Sequence, residues 1–272
     1  MKHTAYRIFK KPFFGRFVKP WRWPDNADQN QWKALHIPSQ TGSTLSALIA
    51  HAHTSKVKGA ILLAHPMGTI AKGFWMKYGH AELLRQTGYH VMVFDLNGFG
   101  ESPSTTLDYP LDVLAAGQSL QAHFPDLPIA VLGASMGAGM SACALAQPDH
   151  PFKVAILESA FPTLLHFWSR YPVPKLGVQL AQSLYPAGER RLRPIHAAEH
   201  LVGQPSILLI YSDADEFTPL EQGQLLWQAF KHKTKTEFWL VSGAKHTHAY
   251  AAQPDAYAQR VITFLDENLV SM

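Results

Sequence analysis

A single cysteine, Cys143, stands in 272 residues, so no disulfide can close within the chain. That excludes a disulfide-stapled secreted scaffold and permits a reducing compartment; a cytoplasmic protein is the expectation. No stretch approaches the roughly 18 consecutive apolar residues of a spanning helix, and the first residues lack an uninterrupted apolar region ahead of a cleavage site. The protein is therefore expected to be soluble or membrane-peripheral. Charge is sparse as well, 16% of residues, against 47% hydrophobic and 11% aromatic. Disorder needs the reverse balance, so this chain folds around a sizeable core. Internal repeats, low-complexity tracts and a dinucleotide fingerprint are all missing. Asn97-Gly98-Phe99-Gly100 is not a phosphate loop, because no lysine follows in the required place. No cofactor is implied.

What charge there is falls unevenly. Formal net charge is +4, but Lys2, Arg7, Lys10, Lys11, Arg16, Lys19 and Arg22 all precede the first acid, Asp25. Without those seven the chain has 17 bases against 20 acids, a net charge of −3. Residues 1–30 thus form a basic arm interleaved with Tyr6, Phe9, Phe13, Phe14, Phe17, Trp21 and Trp23. The favoured reading is packing on the parent domain with lysines pointing outward. The competing one is peripheral contact with an anionic membrane. Pro12, Pro20 and Pro24 prevent one long amphipathic helix there. Basic residues among aromatics are not by themselves a recognition motif, so no nucleic-acid partner is expected.

Residues 31–272 read as one α/β domain. Segments 32–38 and 44–50 flank the turn signal Gln40-Thr41-Gly42-Ser43 and suit an antiparallel edge hairpin. Short aliphatic runs at 60–64, 91–95, 129–132, 154–157, 207–211 and 238–241 then alternate with helical spacing. Repeated strand–helix units imply right-handed crossovers, a mostly parallel sheet with helices on both faces, and functional groups at the carboxyl ends of the strands. Tyr257, Val261, Phe264, Leu265 and Asn268 share one face of a closing helix. In Thr218-Pro219-Leu220-Glu221 we expect Thr218 as N-cap, Pro219 at the first helical position and Glu221 completing a capping box. The stretch 161–204, rich in aromatics, prolines and arginines, is longer than an ordinary connection and suits a small cap.

The run 129–132 leads into Gly133-Ala134-Ser135-Met136-Gly137, a G-x-S-x-G sequence. A serine in a strained strand-to-helix turn crowds the residues two before and two after it, so both must be glycine or nearly so. Chance alone would supply such a triplet in about one chain in ten of this length, so its placement between a buried strand and a helix carries the weight. Ser135 is the candidate nucleophile. A hydroxyl needs an adjacent base. Of 15 histidines, His246 follows a strand across Ser242-Gly243-Ala244-Lys245, with His248 as its rival. A carboxylate must then orient the imidazole. Asp215 is favoured, with Asp213 and Glu158 as alternatives. Asp95 reads better as a turn former for Asn97-Gly98. His51 and His53 could share a strand face and hold a metal, but no third ligand is near in sequence.

The order Ser135, Asp215, His246 is that of an α/β-hydrolase triad. His65-Pro66-Met67-Gly68, Asn97-Gly98-Phe99-Gly100-Glu101-Ser102, residues 133–137, 215–219 and 243–246 extend the likeness. From Trp32 onward the sequence resembles the α/β-hydrolase superfamily and is most similar to its serine aminopeptidase-like and monoacylglycerol-lipase-like branches. The resemblance implies an eight-stranded, mostly parallel sheet with a cap inserted after strand 6. It also implies an oxyanion hole made by the backbone N–H groups of Met67 and Met136. Two positions depart from the pattern: Pro66 replaces a usual glycine, and Ser212 stands where a glycine commonly precedes the acid.

The expected chemistry is attack by Ser135, proton transfer to His246, and hydrolysis of an acyl-enzyme, with activity falling as His246 becomes protonated. The expected partner is a small-molecule ester of an aliphatic or lipid-like acyl group. The same triad would serve a thioesterase or an amidase-like peptidase, and a non-catalytic ligand-binding scaffold is the alternative outside enzymes. Phe161, Leu164, Leu165, Phe167, Trp168, Tyr171, Val173, Leu176, Leu180, Leu184 and Tyr185 could wall an acyl site, although most are expected only to pack the cap on the body.

Overall fold

The structure, a computed structural model, describes residues 21–270. One sheet holds β1 (Lys33–Pro38), β2 (Thr44–Ala50), β3 (Gly59–Ala64), β4 (Tyr89–Phe94), β5 (Ile129–Ala134), β6 (Phe152–Glu158), β7 (Ser206–Ser212) and β8 (Thr236–Val241), in the spatial order β1-β2-β4-β3-β5-β6-β7-β8. The hairpin β1–β2 is antiparallel and β2 lies antiparallel to β4; every other pairing is parallel. Each residue of β3, β4, β5 and β7 is buried. Unbroken aliphatic runs have no polar face to give to water, so the sheet must be covered on both sides.

Four helices cover one face: α3 (Tyr109–His123), α4 (Met136–Ala144), α8 (Pro194–Glu199) and α9 (Leu220–Phe230). The other carries α1 (Gly73–Lys77), α2 (His80–Gln86), α10 (Ala249–Ala252) and α11 (Pro254–Leu265). Tyr257, Val261, Phe264, Leu265 and Asn268 are all buried at the closing helix. Asn268, the polar member, is accommodated because its Nδ2 donates to the Phe264 carbonyl at 2.8 Å.

Between β6 and β7 the chain makes α5 (Leu164–Phe167), α6 (Pro172–Leu184), α7 (Pro186–Arg190) and α8. Phe161 and Trp168 are buried, and Leu164 and Phe167 pack on the core. Helix α6 behaves differently. It buries no residue, and Val173, Leu176, Leu180 and Leu184 are 73%, 57%, 53% and 81% exposed. Their spacing of three, four and four residues lines them along one side of the helix. Packing onto the body therefore describes the start of this segment but not α6.

Trp21, Trp23 and Ala27 pack against the α1/α2/α11 side of the core, and Asn26 Nδ2 donates to the Met76 carbonyl at 3.2 Å. That stretch of the arm is domain-packed. Residues 1–20, with most of its bases and aromatics, lie outside the described residues. No helix among the described residues is long and apolar enough to cross a membrane.

Candidate active site

Ser135 sits between β5 and α4 with φ +51° and ψ −111°. The flanking glycines are needed sterically: a Cβ on Gly137 would lie 2.0 Å from the Ala64 carbonyl oxygen, and one on Gly133 would lie 2.7 Å from Ala138 backbone. The turn is tied down by the Ser135 N–H, which donates to the Glu158 carbonyl at 2.8 Å. Met136 opens α4, so its N–H has no partner within the helix and lies at the positive end of the helix dipole.

The loop after β8 brings His246 Nε2 to 2.8 Å from Ser135 Oγ. On its other side, His246 Nδ1 lies 2.9 Å from Asp215 Oδ1 and 2.8 Å from Oδ2. Three side chains separated by 80 and 31 positions thus form one chain of hydrogen bonds, with Ser135 and Asp215 buried and the imidazole partly open. The Phe217 ring stands 5.2 Å from the imidazole and is itself about half exposed.

Asp215 is heavily solvated by protein. Its Oδ1 accepts from the N–H groups of Phe217 (2.9 Å) and Thr218 (3.0 Å), and its Oδ2 from the hydroxyls of Thr218 (2.7 Å) and Ser159 (2.8 Å). Burial alone would raise its pKa. The His246 hydrogen bond and charge, with the Thr218 donors, outweigh burial and bring it down to about 2. These contacts correct one expectation. Thr218 does not cap α9, whose first residue is Leu220 and whose N-cap is Pro219 with no side-chain bond. The threonine hydroxyl goes to the carboxylate, where a charged acceptor makes the stronger bond.

The rival residues have other partners. Asp213 accepts from Gly243 N–H (2.7 Å) and Ser242 Oγ (3.0 Å), stitching the loop after β8 to the loop after β7. Glu158 accepts from Ala249 N–H (3.1 Å) and Tyr257 OH (3.3 Å), so it anchors the chain just past His246. Burial raises its pKa. His248 Nδ1 donates to the His246 carbonyl at 2.6 Å. Asp95 does pin the turn beyond it, through Glu101 N–H at 3.0 Å, and its buried carboxylate also pairs with the equally buried Lys72 ammonium at 2.8 Å.

Four described residues other than glycine have positive φ: Ala71, Ser135, Ser159 and Thr247. One is the central serine, one binds Asp215, one follows His246, and one ends the loop carrying Met67. Such conformations cost on the order of 1–3 kcal/mol each and persist only where the surroundings over-determine them. Ser159 was not singled out from the sequence. A polar residue directly after a buried strand, at the carboxyl rim, was the signal for it.

The proposed histidine pair does not form a metal site: β2 ends at Ala50, His53 Nε2 pairs with Glu82 at 3.0 Å, and the His51 ring meets His90 and Phe124 edge-on. Among the described residues, His196 and Glu199 on α8 and His200 just past its end are grouped closely enough to hold an ion. They lie outside the hydrogen-bond chain of Ser135, His246 and Asp215.

The serine aminopeptidase (S33) family model matches residues 55–189. No curated protein sequence matches the chain at a significant level. Among solved structures, an esterase from Pyrococcus furiosus superposes with a TM-score of 0.75 at 21% identity, covering 93% of this chain and 98% of that one. The esterase domain of a Rhodothermus marinus protein gives 0.63 at 19% identity, covering 88% and 100%. An acylaminoacyl peptidase from Pyrococcus horikoshii gives 0.65 at 16% identity, covering 96% of this chain and 44% of the peptidase.

Proposed function

We propose, from the serine aminopeptidase family match over residues 55–189 and the fold shared with an esterase, that the chain is an α/β-hydrolase: a serine hydrolase cleaving carboxylic esters of aliphatic or lipid-like acyl groups. The observation that carries the proposal is the unbroken hydrogen-bond chain from Ser135 Oγ through His246 to Asp215, each step 2.8 Å at its shortest. Ser135 attacks the ester carbonyl while His246 Nε2 takes its proton. Asp215 holds Nδ1–H and stabilises the imidazolium without accepting the proton. The N–H groups of Met136 and Met67 bind the oxygen on which negative charge develops. His246 then protonates the departing alcohol, and water activated by the same imidazole hydrolyses the acyl-enzyme.

An apolar acyl substrate is supported by the Phe217 ring beside His246 and by the solvent-facing stripe of Val173, Leu176, Leu180 and Leu184 on α6 in the inserted segment. A series of nitrophenyl esters of increasing acyl length tests this. Turnover rising with chain length and lost in Ser135→Ala supports it; no turnover at any length overturns it. The aminopeptidase family match favours an amidase-like reading as the second choice. Comparing ester, thioester and anilide with the same acyl group separates the three.

A further inference from the structure

We propose that His65 is a positioning residue that turns the Pro66–Met67 peptide so that the Met67 N–H faces the developing oxyanion. This rests on Met67 being an oxyanion donor, as proposed above.

The His65 ring is buried and its two nitrogens have different partners. Nε2 lies 3.1 Å from the Leu96 N–H, which can only donate, so Nε2 must be the lone-pair nitrogen. The proton therefore sits on Nδ1, which donates to the Pro66 carbonyl at 2.8 Å. Burial, the largest influence, keeps the ring from protonating. One backbone group thus selects the tautomer, and that tautomer holds one carbonyl.

That carbonyl belongs to the peptide whose nitrogen is Met67's. In a trans peptide the C=O and N–H point in opposite directions. No cis bond occurs among the described residues. Fixing the Pro66 carbonyl on His65 therefore fixes the Met67 N–H pointing away from the ring. The loop's far end is anchored to the neighbouring residue of the same dipeptide: Lys72 N–H donates to Asp95 Oδ1 at 2.9 Å, and Lys72 Nζ donates to Asp95 Oδ2 at 2.8 Å, to Glu101 Oε2 at 2.8 Å and to Ser46 Oγ at 2.9 Å. The Trp21 ring lies over this ammonium, 4.7 Å away. Asp95 and Leu96 together hold both ends of residues 65–72, and the Pro66–Met67 peptide is the part that His65 sets. A donor aimed before substrate arrives needs no reorganisation during the reaction.

Asparagine places an N–H near the position of Nδ1, whereas glutamine reaches the position of Nε2 and leaves the Pro66 carbonyl without its donor. We expect His65→Gln to lower kcat about 100-fold, the scale of losing one oxyanion donor, with KM within about twofold. A trifluoromethyl ketone, whose hemiketal with Ser135 presents an oxyanion, should bind weaker by the same factor. His65→Asn should recover most of both. Nitrogen-15 NMR of the His65 ring in the wild-type enzyme covers the case in which the core variants misfold: Nδ1 should carry the proton and Nε2 should not. Equal losses in the Gln and Asn variants, a loss confined to KM, or a wild-type ring protonated at Nε2 would overturn the proposal. Ser135→Ala separates the levels. If it still turns over ester, the nucleophile assignment fails and this inference with it; if it is inert while His65→Gln runs at the wild-type rate, only the inference fails.

Discussion

The rim around Ser135 and the helix α6 are built on opposite terms. At the rim, the Asp215 carboxylate collects four donors besides His246, and all four described residues other than glycine with positive φ belong to that rim or its loops. On α6 no residue is buried, and the apolar stripe meets solvent. A site whose geometry is fixed from several sides can aim a weak nucleophile, and each lost contact is costly. A helix held by few contacts is free to change its surface with little effect on folding. Precision and adaptability are thus assigned to separate elements.

The contrast should break first at Asp215. Asp215→Asn keeps the shape but reverses the donor pattern toward Nδ1, and kcat should fall about 10⁴-fold with the fold intact. Steady-state kinetics with a short nitrophenyl ester checks it, and a loss under tenfold would contradict the assignment. Removing one supporting hydroxyl, by Ser159→Ala or Thr218→Val, should cost roughly 1–3 kcal/mol of transition-state stabilisation or stability. Both kcat and urea midpoints should register it.

The same carboxylate gives the rim a pH signature. Its folded pKa, about 2, lies below the unfolded value of about 3.9, so its contribution is fully present above the unfolded value. It is lost as pH falls from there toward the folded value, on the order of 2 kcal/mol in all. Urea unfolding at several pH values across that window should show wild type losing more stability than Asp215→Asn. Parallel losses would contradict the ion-pair account.

At the other extreme, Leu176→Gln with Leu180→Gln on α6 should change stability by no more than about 0.5 kcal/mol. It should raise KM several-fold for long-chain esters and leave short ones unchanged. Equal effects on both lengths would remove α6 from substrate handling.

These regions also differed in how legible they were. The strands and the glycine-flanked turn at Ser135 follow from periodicity and glycine sterics, local patterns with a local cause; Asp215 and His246 were favoured over rivals by their places after strands and by chain order. The support was harder to read. Thr218 looked like a helix cap because Ser and Thr before a proline usually are, and only the approach of Asp215 redirects its hydroxyl. Lys72 was not singled out from the sequence at all; its burial comes from three-dimensional proximity to Asp95, Glu101 and Trp21. The outward stripe of α6 has the same spacing as a core-facing one, and periodicity alone does not say which side is wet.

The central claim is that Ser135 is an activated nucleophile. A fluorophosphonate probe reacts with such a serine and with few other groups. Full-length protein should be labelled at one site, and Ser135→Ala, folded to the same melting temperature, should not be labelled at all. Undiminished labelling of that variant, or no labelling of the wild type, would contradict the account.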